Sequence, residues 1–300
     1  VTETGTALLE LSDLSKSFGR VVVADRLSLR IGAGDLVGIV GPNGAGKTSL
    51  FGLIGGQLAP DGGEIAFAGT AITRLDAAAR CRMGIGRTFQ VPRPFAGMTV
   101  FENVLVAAQQ GAGLARRASY ATAADVLDRT GLAALANTPA ERLGLLQRKR
   151  LEMARALASG PRLLLLDEVA GGLTDLEVDE LVRIVRSVHG QGIAIIWIEH
   201  VVHALARTVS RLICLAGGSV IGDGEPGAVL AEPAVREVFL GTEVSTSLLG
   251  IGPPGQAASP GQAASPGQAA SPGQAASPGQ AASPGQAASP GKAAIQPEGT

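Results

Sequence analysis

Apolar residues in this chain gather in short unbroken runs. Leu36-Val37-Gly38-Ile39-Val40, Leu163-Leu164-Leu165-Leu166 and Ile193-Ala194-Ile195-Ile196-Trp197-Ile198 are bounded by polar or turn residues, as is the stretch Arg211-Leu212-Ile213-Cys214-Leu215. Runs of this length and aliphatic content read as strands buried on both faces. Between them the spacing turns helical, with Leu50, Phe51, Leu53 and Ile54 on one face of residues 48–57. This βα alternation predicts an α/β fold with a parallel sheet covered by helices. Ahead of it, residues 8–11 and 21–31 read as strands of a separate β-region, with Phe18-Gly19-Arg20 as their turn. Residues 62–69 add another short strand. Helical patterning over 100–109, 121–130 and 145–158 then forms an insert, placed at about 91–160, within a folded domain of residues 1–250.

From Pro254 the pattern stops. Pro-Gly-Gln-Ala-Ala-Ser recurs six times and gives way to Pro290-Gly291-Lys292-Ala293-Ala294-Ile295. Without an apolar position in each repeat no solenoid core forms, and collagen needs glycine at every third residue. Residues 251–300 are expected to be a disordered tail, acting at most as a tether.

Composition narrows the function classes. Lys plus Arg (25) balances Asp plus Glu (26), and aromatics make up 3% of the chain. No basic field or stacking platform speaks for direct nucleic-acid binding. Cys81 and Cys214 lie far apart and are expected to be reduced. No apolar run reaches the ~20 residues a membrane crossing needs. The chain therefore reads as cytosolic, or held at a membrane by another protein.

One motif carries the chemistry. Gly41-Pro42-Asn43-Gly44-Ala45-Gly46-Lys47-Thr48-Ser49 follows a predicted strand and opens a predicted helix, the context a phosphate-binding loop requires. Its glycines let successive N–H groups point at phosphate oxygens, and Lys47 reaches the β- and γ-phosphates. The Thr48 hydroxyl takes a place on Mg²⁺. Asp167 and Glu168 end the run of four leucines, at the strand edge where ligands of such sheets bind. Asp167 is expected to hold Mg²⁺ and Glu168 to polarise the attacking water. The chain is thus read as a P-loop NTPase with a RecA-like parallel core, an antiparallel β-region and a helical insert, taking a nucleoside triphosphate with Mg²⁺. His200 and His203 form an H-x-x-H pair, but no third His or Cys stands near enough to complete a zinc site. A GTPase would need an Asn-Lys-x-Asp guanine reader, which the sequence lacks.

From about Leu8 to Leu240 the chain resembles the ATP-binding cassette ATPases, the motor subunits of ABC transporters. The resemblance implies that Phe18 stacks on adenine, and that Gln90, in Gly84-Ile85-Gly86-Arg87-Thr88-Phe89-Gln90, contacts Mg²⁺ and the attacking water. It further implies that Gly172-Leu173-Thr174-Asp175 crosses a dimer interface and that His200 senses the γ-phosphate. Within the family the chain looks most like branched-chain amino acid importer ATPases. That likeness rests on the Gln90 segment, on Phe101-Glu102-Asn103-Val104, on Ile198-Glu199-His200 and on residues 235–241. The implied partners are transmembrane permease subunits, a second ATPase and a substrate-binding protein, at the cytoplasmic face of a membrane. A soluble ABC ATPase acting on nucleic acid or ribosomes is the alternative.

The family signature Leu-Ser-Gly-Gly-Gln is altered. Its register falls on Leu143-Gly144-Leu145-Leu146-Gln147, and Val169 replaces a usual proline. Gly144 lacks the hydroxyl that would meet the opposite subunit's γ-phosphate, and Leu146 stands where glycine allows close approach. With Gly144 and Gln147 as its remaining contacts, the chain is expected to work in a heterodimer with one strong and one weak site, a homodimer being the other arrangement.

Overall fold

The computed structural model describes residues 7–240; the repeat tail, and the expectation attached to it, lie outside the described residues. Two sheets form the scaffold. The first is antiparallel, in the order β2-β1-β4-β5, from β1 (Leu9–Phe18), β2 (Val21–Ile31), β4 (Gly62–Phe67) and β5 (Thr70–Ala71). The second has the order β10-β9-β3-β8-β7-β6, from β3 (Leu36–Val40), β6 (Ile85–Arg87), β7 (Leu163–Asp167), β8 (Ala194–Ile198), β9 (Arg211–Ala216) and β10 (Ser219–Gly224). All its pairs are parallel except β9 with β10.

The apolar runs are continuous because each strand faces two cores. Along β7, Leu163 and Leu165 join the core shared with the antiparallel sheet, while Leu164 and Leu166 join the helical one. Strand β8 divides the same way, with Ile196 and Ile198 on one side and Ile195 and Trp197 on the other. A period of two with apolar residues on both faces leaves no polar position inside the sheet.

The helices are α1 (Lys47–Gly55), α2 (Ala77–Arg82), α3 (Val100–Val106), α4 (Arg116–Arg129), α5 (Leu145–Ala158), α6 (Asp175–His189), α7 (Val202–Ala206), α8 (Pro226–Ala231) and α9 (Pro233–Leu240). Helix α3 starts at a capping box: the Thr99 side chain accepts from the Glu102 N–H, and Glu102 accepts from the Thr99 N–H. Its C-terminal end widens into a π-turn over Ala107–Gly111, so the single helix expected over 100–109 is split. Gly111 in that turn packs so closely on Ser159 that a Cβ would fall 2.6 Å from the serine's Cβ.

Other departures are small and have local causes. Phe18 belongs to β1, and the turn is Gly19-Arg20, with Gly19 at φ 60°. Strands β6 and β10 are additions to the expected set, because Ile85-Gly86-Arg87 and Ser219–Gly224 carry too few apolar residues to announce a strand. Helix α4 begins at Arg116 rather than near 121, since its first turn is charged and exposed.

A buried guanidinium ties α1 to α2. Arg80 is 1% exposed and donates to the carbonyls of Leu53 and Ile54 in the last turn of α1 and to those of Thr73 and Leu75 in the loop that leads from β5 into α2. These carbonyls have no helical partners of their own to fall back on. Replacing Arg80 by Met keeps the packing but strips them all, so unfolding free energy should fall by about 3 kcal/mol. Chemical denaturation of Arg80→Met tests this, and a change below about 1 kcal/mol would show that water satisfies the carbonyls instead.

Candidate active site

Four loops meet at the carboxyl edge of the parallel sheet. The register aligns their strands: Ile39 of β3 is level with Ile198 of β8, and Ile198 with Asp167 of β7. Thr88, just past β6, donates its N–H to the Leu165 carbonyl. The segments that follow are therefore the phosphate loop, Glu168, Glu199-His200 and Phe89-Gln90, all leaving the sheet on one side.

The loop from Gly41 to Ser49 closes tightly against its neighbours. Gly46 has φ 98°, and a Cβ there would lie 2.1 Å from the Val23 carbonyl oxygen. Gly41 is equally confined, by the Leu215 carbonyl. Only glycine fits either place. The Lys47 ammonium is buried and donates to the carbonyls of Gly41 (2.8 Å) and Pro42 (3.0 Å). Burial lowers its pKa, while Glu168, Cys214 and Asp167 pull the other way.

A cavity of about 280 Å³ opens over the loop, lined by Asn43 to Ser49, Glu168, His200, Val21 and Val23. Glu168 is its centre. The Gln90 amide donates to one carboxylate oxygen at 2.5 Å, and His200 Nε2 meets the other at 2.7 Å. Glu168 itself sits at φ 47°, a conformation that costs a side-chain-bearing residue ~1–3 kcal/mol. Two contacts hold its backbone: its N–H donates to the Ile198 carbonyl (2.9 Å), and the Lys149 ammonium donates to its carbonyl (3.0 Å).

Asp167 lies behind this surface, 1% exposed. Arg87 donates to its Oδ2 at 2.9 Å, while Oδ1 is buried without a partner. The guanidinium also donates to Gln57 and stands over the rings of Phe51 and Phe89. Burial raises the Asp167 pKa, and Arg87 opposes the rise. A buried carboxylate oxygen with no donor suits a small hard cation.

Several expected residues stand elsewhere. Phe18 is half-exposed at the end of β1 with the Lys16 ammonium over its ring, and the apolar wall of the cavity is made by its strand partner Val21 with Val23. Gly144 is the N-cap of α5, and its N–H donates to the Gln147 side chain at 2.7 Å. Asp175 opens α6 behind the Thr174 cap. None of Gly144, Gln147 and Asp175 lines the phosphate-loop cavity.

Three residues escaped the sequence reading: the buried Lys149 and Glu199, and the partly buried Arg87. Arg87 lies within segment 84–90, where the resemblance implies a role for Gln90 alone. Lys149 hides in the basic run Arg148-Lys149-Arg150, but its place one turn before the buried Met153 marks it as inward-facing. Glu199 ends an apolar strand and is 2% exposed. Beside these lies a groove of about 290 Å³ lined by Arg87, Phe89, Phe95, Glu152 and Arg155, where the Arg155 guanidinium stands 4.7 Å from the Phe95 ring centroid.

A family profile described as ABC transporter matches residues 24–171. The lipopolysaccharide export ATP-binding protein LptB of Acidithiobacillus ferridurans is 36% identical over 236 residues, covering 79% of this chain and 98% of that protein. The chain belongs to the ATP-binding cassette family of ABC transporters. BraF of Pseudomonas aeruginosa, a high-affinity branched-chain amino acid transport ATP-binding protein, is 32% identical, covering 78% of this chain and 98% of BraF. Among solved structures, a nucleotide-free cassette from an ABC transporter superposes with a TM-score of 0.71 at 28% identity, covering 78% of this chain and 99% of that one. The ADP conformation of the cassette MJ1267 gives 0.71 at 29%, covering 79% and 99%. This cassette is an ATP-binding motor subunit, an ATPase whose hydrolysis is coupled to transport. It works with transmembrane permease subunits and as a dimer of cassettes. No helix among its described residues is long and apolar enough to cross a membrane.

Glu199 gives the site a pH signature. Burial pushes its carboxyl up from 4.5 to about 7, against the pull of the Ala170 N–H, the Trp197 indole and Lys149. The folded chain keeps this proton after the unfolded chain has lost it, so stability declines as pH rises from about 4.5 to about 7. The decline amounts to about 3 kcal/mol. Glu199→Gln should flatten that part of the curve, which denaturant titrations at about pH 5 and about pH 8 will read. A variant with the wild-type pH slope would mean that Glu199 is ionised throughout.

Proposed function

We propose that this cassette hydrolyses ATP with Glu168 as the general base and serves as one half of a heterodimeric importer motor for branched-chain or other hydrophobic amino acids, or small amides. The observation that carries the hydrolytic reading is the Glu168 carboxylate, which faces the phosphate-loop cavity between Gln90 and His200. A water beside that carboxylate gives its proton to Glu168 as it attacks the γ-phosphorus, the bond from that phosphorus to the β–γ bridging oxygen breaks, and ADP and phosphate leave. His200, bonded to the same carboxylate, reads the γ-phosphate and keeps the base oriented. Lys47 and the loop N–H groups take the charge of the β- and γ-phosphates.

Mg²⁺ fits the donor set present. Thr48 and Asp167 would hold it with Gln90, whose amide oxygen stays free when its nitrogen donates to Glu168; the unpartnered Asp167 Oδ1 supports this. The ion, when bound, neutralises phosphate charge. Adenine would lie against Val21 and Val23 with Phe18 at its edge.

The groove beside Phe89, Phe95 and Arg155 suits a permease helix, because it combines aromatic surface with a paired charge. A substrate-binding protein would belong to the full importer, and the assembly would sit at the cytoplasmic face of the membrane. The cargo rests on BraF and on the Gln90, Phe101–Val104 and Glu199-His200 segments. LptB is named for lipopolysaccharide export, so cargo and direction need their own measurement. Glu168→Gln should slow ATP turnover at least ~100-fold with ATP affinity retained, and should abolish uptake of labelled leucine in cells that depend on this gene. Turnover at the wild-type rate removes Glu168 as base, whereas slow turnover with normal leucine uptake removes only the cargo.

Heterodimer formation is supported by the start of α5. In a Ser-x-x-Gln cap the serine accepts from the third helical N–H and the glutamine answers back; here only the glutamine half exists. Gly144 thus offers the partner's nucleotide no hydroxyl. Its φ of −69° and ψ of 174° suit serine, whose Cβ would meet only Gln147 Oε1 at 3.3 Å. The purified chain alone should be a poor ATPase, and Gly144→Ser with Leu146→Gly should raise its rate about ten- to a hundredfold, the worth of a charged hydrogen bond. Brisk hydrolysis by the unmodified homodimer would refute the weak-site reading.

A further inference from the structure

Lys149 has no part in the scheme above, yet its surroundings are built around it. It is 4% exposed and lies one turn inside α5, whose first turn carries Gly144 and Gln147. Its ammonium donates to the carbonyl of Glu168 and attracts the buried Glu199. Glu199 in turn accepts from the Ala170 N–H at 2.5 Å and from the Trp197 indole at 3.2 Å. A single buried cation and its carboxylate therefore join α5, the Glu168 turn, the residues after it and the end of β8.

Simple packing does not call for this. An apolar residue of the same length would fill the space without the desolvation that lowers the Lys149 pKa. What a charged donor adds is a grip on one peptide group. Glu168 is at φ 47°, and the Lys149 and Ile198 contacts hold it from both sides. The direction of that peptide decides whether the Glu168 carboxylate meets Gln90 and His200. Because Lys149 rides on α5, any displacement of the α5 N-terminus moves the donor as well.

We propose that Lys149 is a positioning residue that holds the Glu168 turn in its left-handed conformation and transmits the seating of the α5 N-terminus on the opposite subunit's nucleotide to this chain's own Glu168. The proposal rests on the readings of Glu168 as the base and of the α5 N-terminus as a contact of the opposite subunit's nucleotide. It gives the buried Lys149–Glu199 pair a function: the two nucleotide sites of the dimer communicate through one helix turn.

The chain contains a single tryptophan, Trp197, which is buried and bonded to Glu199, so its emission reports on this cluster. The experiment uses the full chain and compares wild type, Lys149→Met, Lys149→Arg, Glu168→Gln and the pair Lys149→Met/Glu199→Gln. Binding of a fluorescent ATP analogue, single-turnover hydrolysis and Trp197 emission with and without ATP are measured. In Lys149→Met, analogue affinity should stay within twofold, hydrolysis should slow at least tenfold, and the ATP-induced change in Trp197 emission seen in wild type should vanish. Lys149→Arg, which keeps a donor, should recover most of the rate. The double variant, free of an unpaired buried charge, should recover the melting temperature but not the rate. Wild-type hydrolysis in Lys149→Met, a Trp197 response that persists there or is missing from wild type, or recovery of rate in the double variant would overturn the proposal. Glu168→Gln separates the two readings: if it is slow while Lys149→Met is normal, only the Lys149 proposal fails, and if it is normal the base assignment fails with it.

Discussion

The parallel sheet is buried on both faces, and this decides where chemistry can occur. Strands β3, β7 and β8 send alternate side chains into two cores, so a polar side chain anywhere along them would be stranded in apolar surroundings. Only at the carboxyl edge do the strands release the chain into loops, and register brings Ile39, Ile198 and Asp167 to the same level. Polar groups from distant parts of the sequence are therefore delivered to one border by apolar packing alone. The site inherits its precision from leucines and isoleucines that never touch a ligand.

The same alternation explains what could be read from sequence. A strand buried twice must be apolar throughout, which made residues 36–40, 163–166 and 193–198 legible as strands and placed Lys47, Glu168 and His200 at their ends. Where burial is one-sided or the strand is short, the signal fades. Strand β6 holds three residues, one of them Arg87, and reads as loop until the sheet pairs it with Leu163 to Leu165. The phosphate loop was legible for another reason, since steric limits at Gly41 and Gly46 exclude every other residue and leave a recognisable string.

Buried ionic residues were the hardest to read. Arg80, Arg87, Lys149 and Glu199 are charged, and charge in a sequence argues for exposure. Arg80, Lys149 and Glu199 are buried, and Arg87 partly so, because each meets a group that only the tertiary fold supplies: helix-end carbonyls for Arg80, Asp167 for Arg87, the Glu168 carbonyl for Lys149 and the Ala170 N–H for Glu199. Three of these four contacts end on backbone atoms, about which a sequence pattern carries no information. Motif reading finds the groups that meet a ligand, because those recur in fixed strings. It passes over the groups that hold the motifs in place.

That division bears on the altered signature. Gly144 and Leu146 are not the only unusual features of α5, since it also buries Lys149 against the Glu168 turn. A buried ammonium is expensive, and an apolar side chain packs as well. Its presence, with a complete phosphate loop and a Glu168 carboxylate bridged by Gln90 and His200, fits a cassette whose own site is active. On the function proposed above, the loss at Gly144 falls on the nucleotide held by the opposite subunit. Helix α5 presents its first turn outward and its Lys149 inward, so a single helix borders both the outer surface and the turn of this chain's own Glu168.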